Sequence, residues 1–133
     1  MSVRLRPALS VAALVVSLAV SALAAAGDIR PFTEGGFAAL QSAGRPVLVD
    51  VHADWCPTCA QQQPIVERLL QEPAFADVTV LTVDFDAQKP DLRRLRAASQ
   101  STLIAFHGTT ETGRTVGDTT VDGIRALLQR TLN

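Results

Sequence analysis

The chain has 133 residues, and once a leader-like first segment is set aside about 105 to 110 remain, enough for one compact domain. A net charge of −1, no basic run after the leader, and an aromatic content of 5% leave nucleic-acid binding without an electrostatic footprint or a stacking surface. Two cysteines are too few to staple a disulfide-scaffolded mini-domain, and one CxxC pair inside an ordinary core fits a catalytic couple better.

Residues 1–7 carry Arg4 and Arg6 and no acid, and an uncharged Ala/Val/Leu-rich run follows from Ala8 to Ala26. Its end offers Ala22-Leu23-Ala24 and Ala24-Ala25-Ala26 as small-x-small cleavage sites. Residues 1–26 are therefore expected to be a signal peptide and residues 27–133 the mature domain. An uncleaved anchor is the competing reading, since about 19 apolar residues just span a bilayer. Either puts the domain outside the cytoplasm, in the periplasm if the source is a Gram-negative bacterium. No cysteine stands near the cleavage region to carry a lipid.

Phe32 to Ala43 reads as a short helix, with Thr33 as N-cap before Glu34. Gly44-Arg45-Pro46 ends it and launches a buried strand, Val47-Leu48-Val49-Asp50-Val51, rich in β-branched residues. This strand feeds Cys56-Pro57-Thr58-Cys59, and a helix runs from Pro57 to about Gln71 with Ile65, Val66, Leu69 and Leu70 on its apolar face. Pro64 interrupts it, so a kink is expected there. Asp77 to Phe85 reads as a second buried strand. Pro90 to Ala98 is a short helix with Leu92 and Leu95 inward and Arg93, Arg94 and Arg96 solvated. Thr102 to Phe106 is a third apolar strand, and Gly108 and Gly113 bracket a turn into a short strand near Arg114 to Val116. Thr120 to Leu132 is an amphipathic closing helix striped by Val121, Ile124, Leu127 and Leu128. This order, α-β-α-β-α-β-β-α, predicts an α/β fold: a central mixed sheet with helices on both faces. The first two strands should be parallel and the last pair antiparallel, with the CxxC turn at the carboxyl edge of a central strand.

The Cys56-Pro57-Thr58-Cys59 turn places Cys56 at a helix N-terminus, where free N–H groups and the helix dipole favour a thiolate. Cys59 lies one turn further in, close enough to close a disulfide. Cys56 is the expected nucleophile, in a partly exposed position, and Cys59 the resolving thiol. A purely structural bridge is disfavoured, because closing so short a loop restricts the unfolded chain little. Asp50 interrupts an apolar strand. Its carboxyl is either desolvated, with a raised pKa suited to moving a proton to or from Cys59, or a strand-end group reaching solvent. Asp54 is expected at the rim. Trp55 either flanks the dithiol as part of a docking surface or fills the core, and Pro57 suits a first helical turn. His52 completes a His-x3-Cys-x2-Cys set that could ligate zinc or copper, with His107 a further candidate.

The whole mature chain resembles the thioredoxin family. Val47-Leu48-Val49-Asp50 through Ala53-Asp54-Trp55-Cys56-Pro57-Thr58-Cys59 is similar to that family's strand and Trp-Cys-x-x-Cys motif. Pro64 stands where the family's helix kinks, and Val83-Asp84-Phe85-Asp86, Thr102-Leu103-Ile104-Ala105-Phe106, Gly108 and Val116-Gly117 look like its later strands and hairpin. The resemblance implies a thioredoxin fold, Cys56 and Cys59 as a redox couple, and Asp50 as the proton acceptor or donor. Two positions depart from the family. Its cis-proline, which shapes the peptide groove and helps keep metals off the dithiol, is Ser101 here. A non-proline cis bond costs about 2.5–4 kcal/mol, so the Gln100–Ser101 bond is expected to be trans. If the missing proline limits docking, Ser101→Pro should raise turnover. The lysine that many thioredoxins pair with the buried aspartate corresponds to Thr82.

The function read from these residues is an extracytoplasmic thiol–disulfide oxidoreductase, most simply a reductase of protein disulfides. Trp55, Pro57, Thr58 and Ser101 are the candidate substrate-binding residues. The dithiol itself does the redox work, so no separate cofactor or resident metal is expected, and a monomer is expected. The resemblance implies protein thiols and disulfides as substrates, among them non-native disulfides or apocytochrome c thiols, and a membrane thiol-relay protein as electron donor. Pro57-Thr58 lacks the histidine of the Cys-Pro-His-Cys motif of strongly oxidising relatives, which argues against an oxidase. Two alternatives stand: an oxidase or isomerase of the same fold, and a metallochaperone using Cys56, Cys59 and His52.

Overall fold

Strand alternation divides the core into two layers, one on each side of a five-stranded sheet. The structure is a computed structural model and describes residues 25–133. The leader expected over residues 1–26 lies outside that range apart from its last two residues. The elements are β1 (Asp28–Pro31), α1 (Glu34–Ser42), β2 (Pro46–His52), α2 (Pro57–Leu70), a 3-10 turn (Pro73–Phe75), β3 (Thr79–Asp84), α3 (Lys89–Arg94), β4 (Thr102–His107), β5 (Thr110–Val116) and α4 (Val121–Arg130). The sheet order is β1-β3-β2-β4-β5. β1, β3 and β2 run parallel, and β4 and β5 pair antiparallel. This is the mixed sheet with helices on both faces that the element order predicts.

On β2, Leu48 packs with Val66, Leu69 and Leu70 of α2 and Ile124, Leu127 and Leu128 of α4. Val47, Val49 and Val51 face the other way, onto Phe37 and Leu40 of α1 and Leu92 of α3. Side chains two apart share a face, so Asp50 and His52 lie on the α2 side with Leu48. Leu48, Leu69, Leu103 and Leu128 have no exposed surface, and cutting any of them to Ala costs about 2–5 kcal/mol.

The structure differs from the sequence reading at three elements. β1 was not anticipated: its four residues are all exposed and include Pro31, and pairing with β3 is what defines it. Its edge position accommodates the proline. The hairpin turn is tighter than expected, with Gly108 at φ +55° and β5 already under way at Thr110. Gly113 sits inside β5 opposite Ala105, beside a register shift. A Cβ there would lie 2.9 Å from Arg130 and 3.1 Å from Leu127 of α4, so the glycine admits the helix. α3 stops at Arg94, four residues short, because Arg96 turns left-handed at φ +52°. Ala97 N–H then bonds Leu92 O and Arg96 N–H bonds Arg93 O, closing the helix end with a Schellman motif. Arg93, Arg94 and Arg96 are exposed, as expected.

Candidate active site

β2 delivers the chain to a turn in which Cys56 N–H donates to Ala53 O at 3.0 Å. Cys56 is the N-cap of α2, and its Sγ accepts the Cys59 N–H at 3.1 Å. Pro57 occupies the first turn, where a missing N–H costs nothing. Cys56 and Cys59 form a disulfide with their Cα atoms 5.3 Å apart. On reduction, the free N–H groups of this helix end favour charge on the Cys56 sulfur. Both cysteines are only 2% exposed, so the partly exposed nucleophile expected from the sequence is covered in the disulfide form. The bonded cysteines pack inward against Ala53 and Phe85. Pro57 is exposed and Thr58 half-buried beside them.

Trp55 is 59% exposed, so it does not fill the core. Its Nε1 donates to Asp86 Oδ2 at 2.7 Å, and its ring meets Phe85 edge-on with centroids 6.4 Å apart. Those contacts hold a large apolar surface upright next to the dithiol. Asp54 is fully exposed at the rim, 3.4 Å from His52 Nε2.

Asp50 is 8% exposed and lies in register with Thr82 of β3 and Leu103 of β4. Burial pushes its pKa up from 3.8 to about 6, against a smaller lowering by His52. Of the two sequence readings, the desolvated carboxyl is the one present. Asp50 shares a cavity of about 80 Å³ with His52, Thr82 and, from α2, Gln63 and Val66. Cys59 stands four residues before Gln63 and seven before Val66, on the same stripe of α2, one turn nearer the helix start. Thr82 does face Asp50, so the position of the family's lysine carries no cation.

Ser101 is buried, its preceding peptide bond is trans, and its φ is +56°. Its N–H donates to Val51 O at 2.8 Å, an oxygen that lies 3.9 Å from Cys59 Sγ. Its hydroxyl donates to Gln100 O at 2.6 Å. Its own carbonyl accepts from Gly117 N–H at 2.9 Å and from Gln62 Nε2 at 3.2 Å. Gln62 is the residue that sequence reasoning missed. It is 1% exposed, and its Nε2 also donates to Asp118 O at 2.9 Å, bracing the Ser101 segment against the start of the last helix. The signal was available: Gln62 falls three residues after Cys59 and four before Val66, a polar residue on an apolar stripe.

His52 is turned to Asp54 and to the Asp50 cavity. Among the described residues, no group of three or more His, Cys, Asp or Glu side chains is placed to hold a metal ion. His107 pairs with Pro46 at the other end of β2 from the CxxC turn, with its Nδ1 2.9 Å from Thr131 O. His107 therefore stands apart from the CxxC turn.

The Thioredoxin family model matches residues 31–130 of this chain. A thioredoxin of Mycobacterium bovis is 36% identical over 86 residues, spanning 64% of this chain and 73% of its own length. One from Chlamydia muridarum is 34% identical over 84 residues, spanning 63% of this chain and 80% of its own. The crystal structure of Trxlp from Edwardsiella tarda superposes with a TM-score of 0.73 at 39% identity, covering 75% of this chain and 97% of that one.

Proposed function

The chain belongs to the thioredoxin family and is a thiol–disulfide oxidoreductase, and we propose that it works outside the cytoplasm as a reductase of protein disulfides. One observation carries the chemistry: a Cys56–Cys59 disulfide at the first turn of α2, beside a strand that buries Asp50. In the reduced protein the Cys56 thiolate attacks a substrate disulfide, forming a mixed disulfide and releasing the first substrate sulfur. Cys59 then gives its proton to Asp50 and attacks Cys56 Sγ, releasing the second substrate sulfur and restoring the Cys56–Cys59 bridge. Two electrons pass from the dithiol to the substrate, so the protein needs no further cofactor for this step.

Substrate docks across Trp55, Pro57, Thr58 and the Ser101 segment, the exposed apolar wall and the rim nearest the bridge. The basic, then uncharged, first 26 residues support export. In an oxidising compartment the dithiol has to be re-reduced, and a membrane thiol-relay protein is the donor that fits. The Pro57-Thr58 pair, without a histidine between the cysteines, supports the reducing direction.

The test is catalysed reduction of a disulfide-containing protein by dithiothreitol. The full chain should accelerate it, Cys56→Ser should abolish the acceleration, and Cys59→Ser should accumulate a mixed disulfide on Cys56. Turnover that survives Cys56→Ser would refute the mechanism. Export is tested by fusing residues 1–26 to a phosphatase that folds only in an oxidising compartment. An inactive fusion would refute the location.

A further inference from the structure

A proton that reaches Asp50 has to leave again, and neither residue directly facing the carboxyl can carry it. Thr82 on β3 and Leu103 on β4, its register partners, do not ionise in this pH range. His52 follows Asp50 by two residues and so lies on the same face of β2. The two line one cavity of about 80 Å³, enough room for about two water molecules. His52 also lines an open groove of about 540 Å³ whose wall carries Trp55 and whose rim carries Asp54, Asp84 and Asp86. Asp50 borders the inner space alone, and the three rim carboxylates border only the outer one. His52 is the one titratable side chain common to both. Its side chain is 23% exposed, and its Nε2 stands 3.4 Å from Oδ1 of the fully exposed Asp54.

We propose that His52 is the proton gate of this active site, taking the proton that Asp50 receives from Cys59 and releasing it into the groove beside Asp54. The inference rests on the role proposed above for Asp50. In the resolving step the Cys59 S–H bond breaks and its sulfur bonds to Cys56 Sγ. The Cys56–substrate S–S bond breaks, and its electron pair leaves on the substrate sulfur. The Cys59 proton passes to Asp50, then to His52, then to bulk water, and the departing thiolate takes a proton from solvent. An imidazole suits this position because either ring nitrogen can take up or release a proton.

The surroundings are consistent with such a path. Asp84 is engaged by the backbone N–H groups of Asp86 and Ala87, at 2.8 and 2.9 Å, and Asp86 by Trp55. On the β1 side Arg30 is paired with Asp28, and at the start of α3 Lys89 sits over the Phe85 ring. From α2 the cavity meets the neutral Gln63, and from β4 the apolar Leu103. Asp54 is the rim carboxylate in direct contact with the imidazole, while Asp84, the register partner of His52 on β3, feels its charge but is held by backbone N–H groups. Charge on His52 also lowers the Asp50 pKa, so the two groups are electrically coupled.

Two readouts test the gate. The first is an NMR titration of the Asp50 carboxyl in the oxidised full chain, for the wild type, His52→Gln and His52→Phe. The Asp50 midpoint should rise above about 6 in both variants. The second is the single-turnover rate of mixed-disulfide resolution. It should fall about tenfold in His52→Gln and His52→Ala, with added imidazole restoring the rate in His52→Ala. An unchanged midpoint and rate in His52→Gln, a polar side chain of similar size, would overturn the proposal. A midpoint that moves while the rate does not would reduce His52 to a charged neighbour and overturn the gate equally. Two controls separate this failure from failure of the reading it rests on. A wild type that reduces no disulfide refutes the reductase, while the titration still judges the coupling. Undiminished resolution in Asp50→Asn refutes the acceptor role of Asp50, and the gate with it.

Discussion

Asp50→Asn converts the buried carboxyl into a neutral group of nearly the same shape, and the structure fixes the sign and size of the effect. The folded protein holds the Asp50 proton up to about pH 6, through burial opposed in part by His52. The unfolded chain releases it near the ordinary value of about 3.9. Between those two values the native state binds more protons than the unfolded state, so stability falls as pH rises. The contribution is fully present below the unfolded pKa and is lost as pH passes through the folded one. At about 1.4 kcal/mol per pH unit the loss amounts to about 3 kcal/mol. Other carboxylates work in the opposite sense. Glu72 is held low by its Arg125 hydrogen bond, Asp84 by the Ala87 and Asp86 N–H groups, and Glu111 by Arg114. Their contributions weaken as pH falls, but they are common to both proteins and cancel in the difference. Urea denaturation of the oxidised forms, followed by circular dichroism from pH 4 to 8, gives that difference directly. Asp50→Asn should gain about 2.4 kcal/mol on the wild type between pH 4 and pH 8, the remainder of the loss having already taken place at the acid end of the series. Parallel curves would mean that Asp50 is not held protonated by the fold, and the desolvation argument would fall.

Ser101→Pro should harm the protein. Proline removes the N–H that donates to Val51 O and cannot adopt a φ of +56°. The cost is about 1–3 kcal/mol from the orphaned buried carbonyl alone. Urea midpoints and disulfide-reduction turnover should both fall, and a stable variant with raised turnover would refute this reading of the loop. Gln62→Ala should free the carbonyls of Ser101 and Asp118 from their shared donor. Exchange of the Ser101 and Gly117 amide hydrogens should quicken by about fivefold or more, given a hydrogen bond's worth of about 1 kcal/mol or above. Unchanged exchange would show that the brace is not what holds the segment.

The stretch from Val47 to Leu70 was legible because its signals are local. An apolar strand, a CxxC turn with proline at the first helical position, and a striped helix follow one another without interruption. β1 was not, since Asp28-Ile29-Arg30-Pro31 has no pattern of its own and becomes a strand only by pairing with β3, some fifty residues on. Gln62 looked like one more polar helix residue beside Gln61 and Gln63, because its partners lie 39 and 56 positions away. His52, by its spacing to the cysteines, suggests a metal ligand. Its parity with Asp50 on β2 was the more informative relation, since a strand places residues two apart on one face. The departure at Ser101 was visible as a missing proline. The left-handed conformation and the bond to Val51 that replace it arise only in three dimensions.

The reduction potential of the Cys56–Cys59 pair tests the central claim most directly. Equilibrating the protein against a graded series of oxidised and reduced dithiothreitol or glutathione yields the value. A potential near thioredoxin's, about −270 mV, is what a disulfide reductase requires. A potential near about −120 mV would make the oxidised protein a disulfide donor, and electrons would flow the other way.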